Sequence, residues 1–152
     1  TWTQQARLQA DVPGLFAQFG GAVAVDGNTA AIGARLDAFQ GAVYVFTRSG
    51  TSWSQQQKVV SGDLASSDEL GSSVALAGNT LVAGAPFKDA STGAAYVFTR
   101  SGTVWSQQQK LLGADTTAGD QFGMSVGLSG ETAVVGAPAR DLGVPNPDAG
   151  AA

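Results

Sequence analysis

The stretch Tyr96–Lys110, YVFTRSGTVWSQQQK, decides the fold. It repeats Tyr44–Lys58, YVFTRSGTSWSQQQK, with a single change, Ser52 to Val104. An apolar run, a Ser-Gly turn, then a Trp followed by a Gln run reads as a β-hairpin. Because the hairpin recurs 52 residues along the chain, it belongs to a repeating unit, and the rest of the sequence can be phased against it.

Three landmarks hold that phase. Trp2, Trp53 and Trp105 lie 51 and 52 residues apart, as do Phe19-Gly20, Leu70-Gly71 and Phe122-Gly123. The third set is Gly33-Ala34-Arg35, Gly84-Ala85-Pro86 and Gly136-Ala137-Pro138. Each unit reads as four strands. The first is Ser72–Ala77, with Gly21–Val25 and Ser125–Ser129 as its counterparts. The second is Thr80–Ala85, matched by Thr29–Ala34 and Thr132–Ala137. Asp26-Gly27-Asn28, Gly78-Asn79 and Gly130-Glu131 join first to second strands as tight hairpin turns. The third strand is Ala94–Thr99 and the fourth runs from about Trp105 to Leu112.

Along the first strand Val74 and Leu76 face one way, Ser73 and Ala75 the other. On the third, Tyr96 and Phe98 oppose Val97. Strands apolar on both faces need cover on both sides. Four-stranded sheets stacked around an axis supply it, the bulky face of one meeting the small face of the next. An ordinary β-sandwich is the alternative, but it seldom carries a 52-residue repeat. The Gln-rich fourth strand suits an outer rim.

Composition narrows the function. Of 152 residues 43% are hydrophobic, enough for a core, and only 13% are charged. The net charge of −4 leaves no basic footprint for nucleic acid. Without Cys or His there are no disulfides, no thiolate catalysis and no Ser-His-Asp triad. No apolar run reaches the ~20 residues of a membrane helix, so membrane insertion is not expected. With Thr1 in place of an initiator Met and no signal peptide visible, the reading expects a cut or processed N-terminus.

Phe-Gly, then Gly-Ala-Pro, then Gly-Ala-Ala-Tyr-Val-Phe resembles the FG-GAP repeats that form the blades of integrin α-subunit propellers and of many bacterial extracellular proteins. The bacterial form is the closer match, and the resemblance covers essentially the whole chain. It implies an all-β propeller of six or seven four-stranded blades, of which about three are here. The expected parts are a rim strand of a preceding blade over 1–10, blades over 19–60 and 70–112, and an incomplete blade over 122–152. Two departures are Arg35 in place of the Pro and Leu70 in place of the Phe. Eleven strands and the start of a twelfth cannot close a ring of ~4 to 8 blades. A piece of a longer polypeptide is the expectation; copies joined edge to edge into a ring or filament are the alternative.

Candidate sites are acidic. The integrin-type calcium loop is absent, because turns of two or three residues with at most one carboxylate cannot supply the ~6 to 8 oxygens that calcium takes. No metal or other cofactor is required; calcium stays possible, since the five-residue Asp spacing ahead of the Phe-Gly step could present two carboxylates to a cation. Asp63 and Asp68 recur as Asp115 and Asp120, and are expected to fix turns by accepting backbone N–H groups. Asp37, Asp89 and Asp141 follow the Gly-Ala-Pro step, with Arg35, Lys88 and Arg140 close by. With Pro145 and Asn146 of the longer third loop, Asp37, Lys88, Asp89, Arg140 and Asp141 form the candidate binding surface. The three Trp residues are expected between blades and the Gln runs on a polar outer strand. The function expected from the resemblance is a non-catalytic extracellular or cell-envelope adhesion module binding a protein or glycan at the cell surface. Self-association through edge strands into a fibre or surface layer is the alternative, and a propeller hydrolase using paired Asp residues is the third.

Overall fold

The hairpin turns set the architecture. The computed structural model describes residues 1–11, 14, 16–140 and 150–152. Its strands are β1 (Phe19–Asp26), β2 (Thr29–Ala34), β3 (Ala42–Ser49), β4 (Ser52–Val59), β5 (Ser73–Ala77), β6 (Thr80–Ala85), β7 (Ala94–Ser101), β8 (Val104–Leu111), β9 (Ser125–Ser129) and β10 (Thr132–Gly136). Gly27, Gly78 and Gly130 sit first in two-residue turns at φ 55°, 56° and 56°. That is where a type II′ turn, whose twist matches the flanking strands, needs Gly.

The strands form antiparallel sheets ordered β1-β2-β3-β4 and β5-β6-β7-β8, with β9 and β10 as a third pair. The first strands lie close together and the fourth strands spread apart, so the sheets fan like blades. No helix among the described residues is long and apolar enough to cross a membrane.

Packing follows the bulky-to-small rule. One face of the second blade presents Leu81, Tyr96, Phe98 and Trp105 to Ala31, Val43 and Val45 of the first. Its other face presents Val82 and Ala95 to Val126, Leu128 and Val135 of the third. Burying each large side chain stabilises the stack by about 2 to 3 kcal/mol.

The repeat's glycines explain themselves at this contact. A Cβ on Gly33 would lie 2.0 Å from the Gly71 carbonyl oxygen, and one on Gly84 would lie 1.8 Å from that of Gly123. Gly71 and Gly123 in turn sit at φ 88° and 96°, a region L side chains avoid. The Phe-Gly step of one blade therefore rests on the Gly-Ala-Pro step of the blade before it.

One part departs from expectation. Residues 1–10 form no strand, because a rim strand exists only by hydrogen-bonding to a third strand inside it, and among the described residues none stands beside them. Leu8 and Ala10 instead pack on the Phe19, Tyr44 and Phe46 cluster, and the Asp11 N–H donates to Gln55 Oε1 at 3.0 Å. The 122–152 unit is two strands and a bridge. Ala137 and Ala151 exchange backbone bonds of 2.7 and 2.9 Å, at the register where Ala34 meets Ala42 and Ala85 meets Ala94 in the complete blades.

Candidate functional site

The charged loops gather where each second strand crosses to its third. In the second blade this connection holds a single turn, Lys88–Ser91. Asp89, Ala90 and Ser91 all have positive φ, 52°, 57° and 64°, each costing about 1 to 2 kcal/mol. The offset comes from the next blade: Gln121 N–H donates to Ser91 O at 2.8 Å and Phe122 N–H to Thr92 O at 3.0 Å. In the first blade Ala38 and Phe39 are left-handed as well, and Ser67 N–H donates to Phe39 O at 2.6 Å.

Lys88 is the centre of the site and only 5% exposed. Its ammonium donates to the Asp63 carbonyl at 2.7 Å and to Asp68 Oδ2 at 3.1 Å, and lies 3.6 Å from Asp89 Oδ1. Lys110, from the end of β8, reaches Asp63 Oδ2 at 2.9 Å and Asp89 Oδ2 at 3.6 Å. Asp63 Oδ1 also accepts the Tyr96 hydroxyl at 2.8 Å and the Ser61 hydroxyl at 2.6 Å. Three carboxylates and two ammoniums thus share one network.

The protonation states follow. Burial alone would raise the Asp63 carboxyl, but donation from Ser61, Lys110 and Tyr96 outweighs it and holds the group well below the usual carboxylate range. Burial alone would lower Lys88, but its hydrogen bond to Asp68 and the charges of Asp68, Asp63 and Asp89 raise it. Burial and then Asp63 push the Tyr96 hydroxyl up. Asp63, Lys88 and Tyr96 are thus held in the ionisation states they have near neutrality. A general acid or base needs a pKa near its working pH, and Asp63, Lys88 and Tyr96 are each driven away from it.

The neighbouring units vary the theme. Asp37, only 3% exposed, accepts from Lys58 at 2.9 Å and from the Tyr44 hydroxyl. Burial and then Asp37 push that hydroxyl up too. In the third unit Arg140 donates to Asp115 at 2.7 Å, lowering the Asp115 carboxyl, and lies 3.8 Å from Asp120. Asp68 and Asp120 accept the N–H groups of Ala65 and Thr117, both at 2.7 Å, the turn-fixing role expected of them.

Of the candidate binding residues, Asp37 and Lys88 are buried and cannot reach a partner. Their charges are turned inward because Tyr44 and Lys58 of the third and fourth strands supply partners to Asp37, and Asp63 and Asp68 of the β4–β5 connection supply them to Lys88. Asp89 is open, its side chain 64% exposed, and Arg140 is half-buried. Asp141, Pro145 and Asn146 lie outside the described residues. Sequence reasoning missed Ser61, Tyr96 and Lys110; the paired recurrence of Tyr44 with Lys58 and Tyr96 with Lys110 was the available signal.

Asp26, the sole carboxylate beside its turn, already accepts the Gly78 N–H from the next blade at 2.6 Å. Among the described residues no group of three or more His, Cys, Asp or Glu side chains is placed to hold a metal ion.

A further contact joins the rims. In β4 the ladder skips Gln56, since Val45 pairs with Gln57 and Phe46 with Gln55. Such a bulge re-aims side chains, and here Gln56 and Gln57 both reach the next blade. The Gln57 amide takes the Trp105 N–H at 2.7 Å and donates to the Trp105 carbonyl at 2.8 Å. Gln56 Oε1 accepts the indole N–H at 2.9 Å. Trp105 is 3% exposed between the blades, as expected, whereas Trp2 is fully exposed.

Antiparallel sheets fanned face to face, with glycines of successive units touching backbone to backbone, are the blades of a β-propeller. The chain matches the FG-GAP repeat over residues 2–46, 53–98 and 105–152. It belongs to that family. Comparison with curated proteins gives no significant match.

Proposed function

We propose that this propeller segment is a non-catalytic extracellular or cell-envelope binding module whose loops meet a protein or glycan at the cell surface. The observation that carries the reading is the Lys88 network. Its acids and bases are engaged with one another, which stiffens the loops, while Asp89 at its edge and Asp115 in the third unit stay exposed. A rigid scaffold displaying charged loops suits recognition. Family membership supports the extracellular setting, and neither calcium nor another cofactor enters the proposal.

Glycan-array and cell-surface binding assays test it, comparing the native chain with an Asp89→Ala/Asp115→Ala variant. Specific binding that falls about tenfold in the variant, the loss of one or two charge-assisted contacts, supports the reading. Binding indifferent to both substitutions removes these loops from it. Turnover of glycosides or phosphoesters that survives repurification would overturn the non-catalytic assignment.

A further inference from the structure

Two departures from the repeat meet where the first two blades join. Counted from the second strand, Arg35 stands where the next unit has Pro86; counted back from Gly41 and Gly93, Phe39 stands where it has Ser91. Phe39 holds φ 64°, a region in which a bulky side chain is an outlier, and it is 73% exposed. Ser91 holds the same φ of 64°, so the turn itself does not need an aromatic ring. Nor does the core, since a ring left this open gains little from burial. Backbone strain at a side chain that packing does not reward points to a use outside the fold.

The segment 65–70 of the next blade ties both departures down. Ser67 N–H donates to the Phe39 carbonyl at 2.6 Å, and Arg35 Nη1 donates to Glu69 Oε2 at 2.9 Å. Arg35 Nε also donates to the exposed Gln18, at Oε1, over 2.6 Å. These two are the partners of Arg35 among the described residues, which leaves further N–H groups of its guanidinium for a ligand. Over 35–41 and 65–70, Phe39 is the one exposed large apolar side chain. Its exposed neighbours there are Ala38, Ala65, Ser66 and Ser67.

We propose that Phe39, Arg35 and Gln18 form a subsite for a neutral hexopyranose. The sugar's C–H face lies on the ring, and its hydroxyls meet the guanidinium and the amide. A pyranose has one apolar face bordered by groups that both donate and accept, which suits one ring beside planar polar side chains. A protein anchor would instead be expected among clustered apolar contacts. The Arg35–Glu69 pair is neutral in sum and the chain carries −4, which disfavours sialylated or sulfated sugars. The inference rests on the loop surface proposed above and names its ligand class.

NMR titration of the full chain with lactose, cellobiose and maltose tests it, with sialyllactose and a Lys-Phe-Lys peptide in parallel. At least one neutral disaccharide is expected to shift the Phe39 and Ser67 amides saturably. Phe39→Ser, which installs the next unit's own residue, should melt no lower than the native chain yet bind about tenfold more weakly, the loss of one stacking contact. Phe39→Trp should restore binding, a rescue that a merely structural role would not give. The inference is overturned if no neutral disaccharide saturates, if only sialyllactose or the peptide does, or if Phe39→Ser binds as the native chain does. Cell-surface binding lost in Asp89→Ala/Asp115→Ala but kept in Phe39→Ser would sink this subsite and leave the loop-surface reading standing.

Discussion

The hairpins Tyr44–Lys58 and Tyr96–Lys110 differ at one position but live in different surroundings. Gln56 and Gln57 are half-buried and bonded to the next blade, while Gln108 and Gln109 are exposed. Trp105 is buried against a complete blade, whereas Trp53 is only partly buried against the Tyr44 and Phe46 cluster of its own blade. Local sequence determines that each forms a hairpin with a bulge at the same Gln. Neighbouring blades determine what that hairpin is worth, as expected where strand stability reflects packing more than backbone preference.

Substitutions at the blade contacts test this most severely. Gly33→Ala drives a Cβ into the Gly71 carbonyl and is expected to cost more than about 4 kcal/mol, abolishing the cooperative melt in urea. Gly84→Ala makes an equal clash but faces only the two-stranded third unit. Its expected signature is early loss of β9 and β10 with the first two blades still melting together, readable by hydrogen exchange. Equal, global unfolding in both variants would break the comparison.

Trp105→Ala comes next, at about 3 to 5 kcal/mol for a buried aromatic, against about 1 to 2 kcal/mol for the half-covered Trp53. Chemical denaturation of the pair measures the difference. Gln57→Ala should cost about 1 to 2 kcal/mol, because it leaves the Trp105 N–H and C=O without their partner. Gln109→Ala, identical in sequence context, should stay within about 0.5 kcal/mol.

The smallest effects are those of pH. Asp63 and Asp115 have lowered pKa values, so their contributions are present above the ordinary carboxylate value and lost as pH falls below about 4. Lys88 and Tyr96 are raised, so theirs are present below about pH 10 and lost above it. A plot of Tm against pH should be a plateau with two shoulders, and Asp63→Asn should flatten the acid one.

Much of this was legible in the sequence. Alternation and turn glycines placed the strands nearly residue for residue, since Thr29–Ala34, Thr80–Ala85 and Ser125–Ser129 need only local information. The faces were legible too, because Tyr96 and Phe98 against Val97 is a matter of pleat. Hidden were features that depend on contacts across the repeat. A Gln run reads as solvent-facing until a bulge aims two of its members at a Trp 48 and 49 residues away. Asp37 and Lys88 read as surface charges until Tyr44 and Lys58 reach the first from other strands and Asp63 and Asp68 reach the second from the β4–β5 connection. Residues 1–10 carry the rim pattern, but pattern alone supplies no ladder.

One consequence of the near-duplicate hairpins concerns refolding. For β2, the strands β3 and β7 offer almost the same letters, so side chains discriminate poorly between the right mate and a decoy. Connectivity discriminates instead: reaching β7 rather than β3 lengthens the closed loop several-fold, a penalty of about 2 kcal/mol. That margin favours the correct topology by only a few tens to one, so a minority of chains should begin refolding crossed over and must back out before they finish.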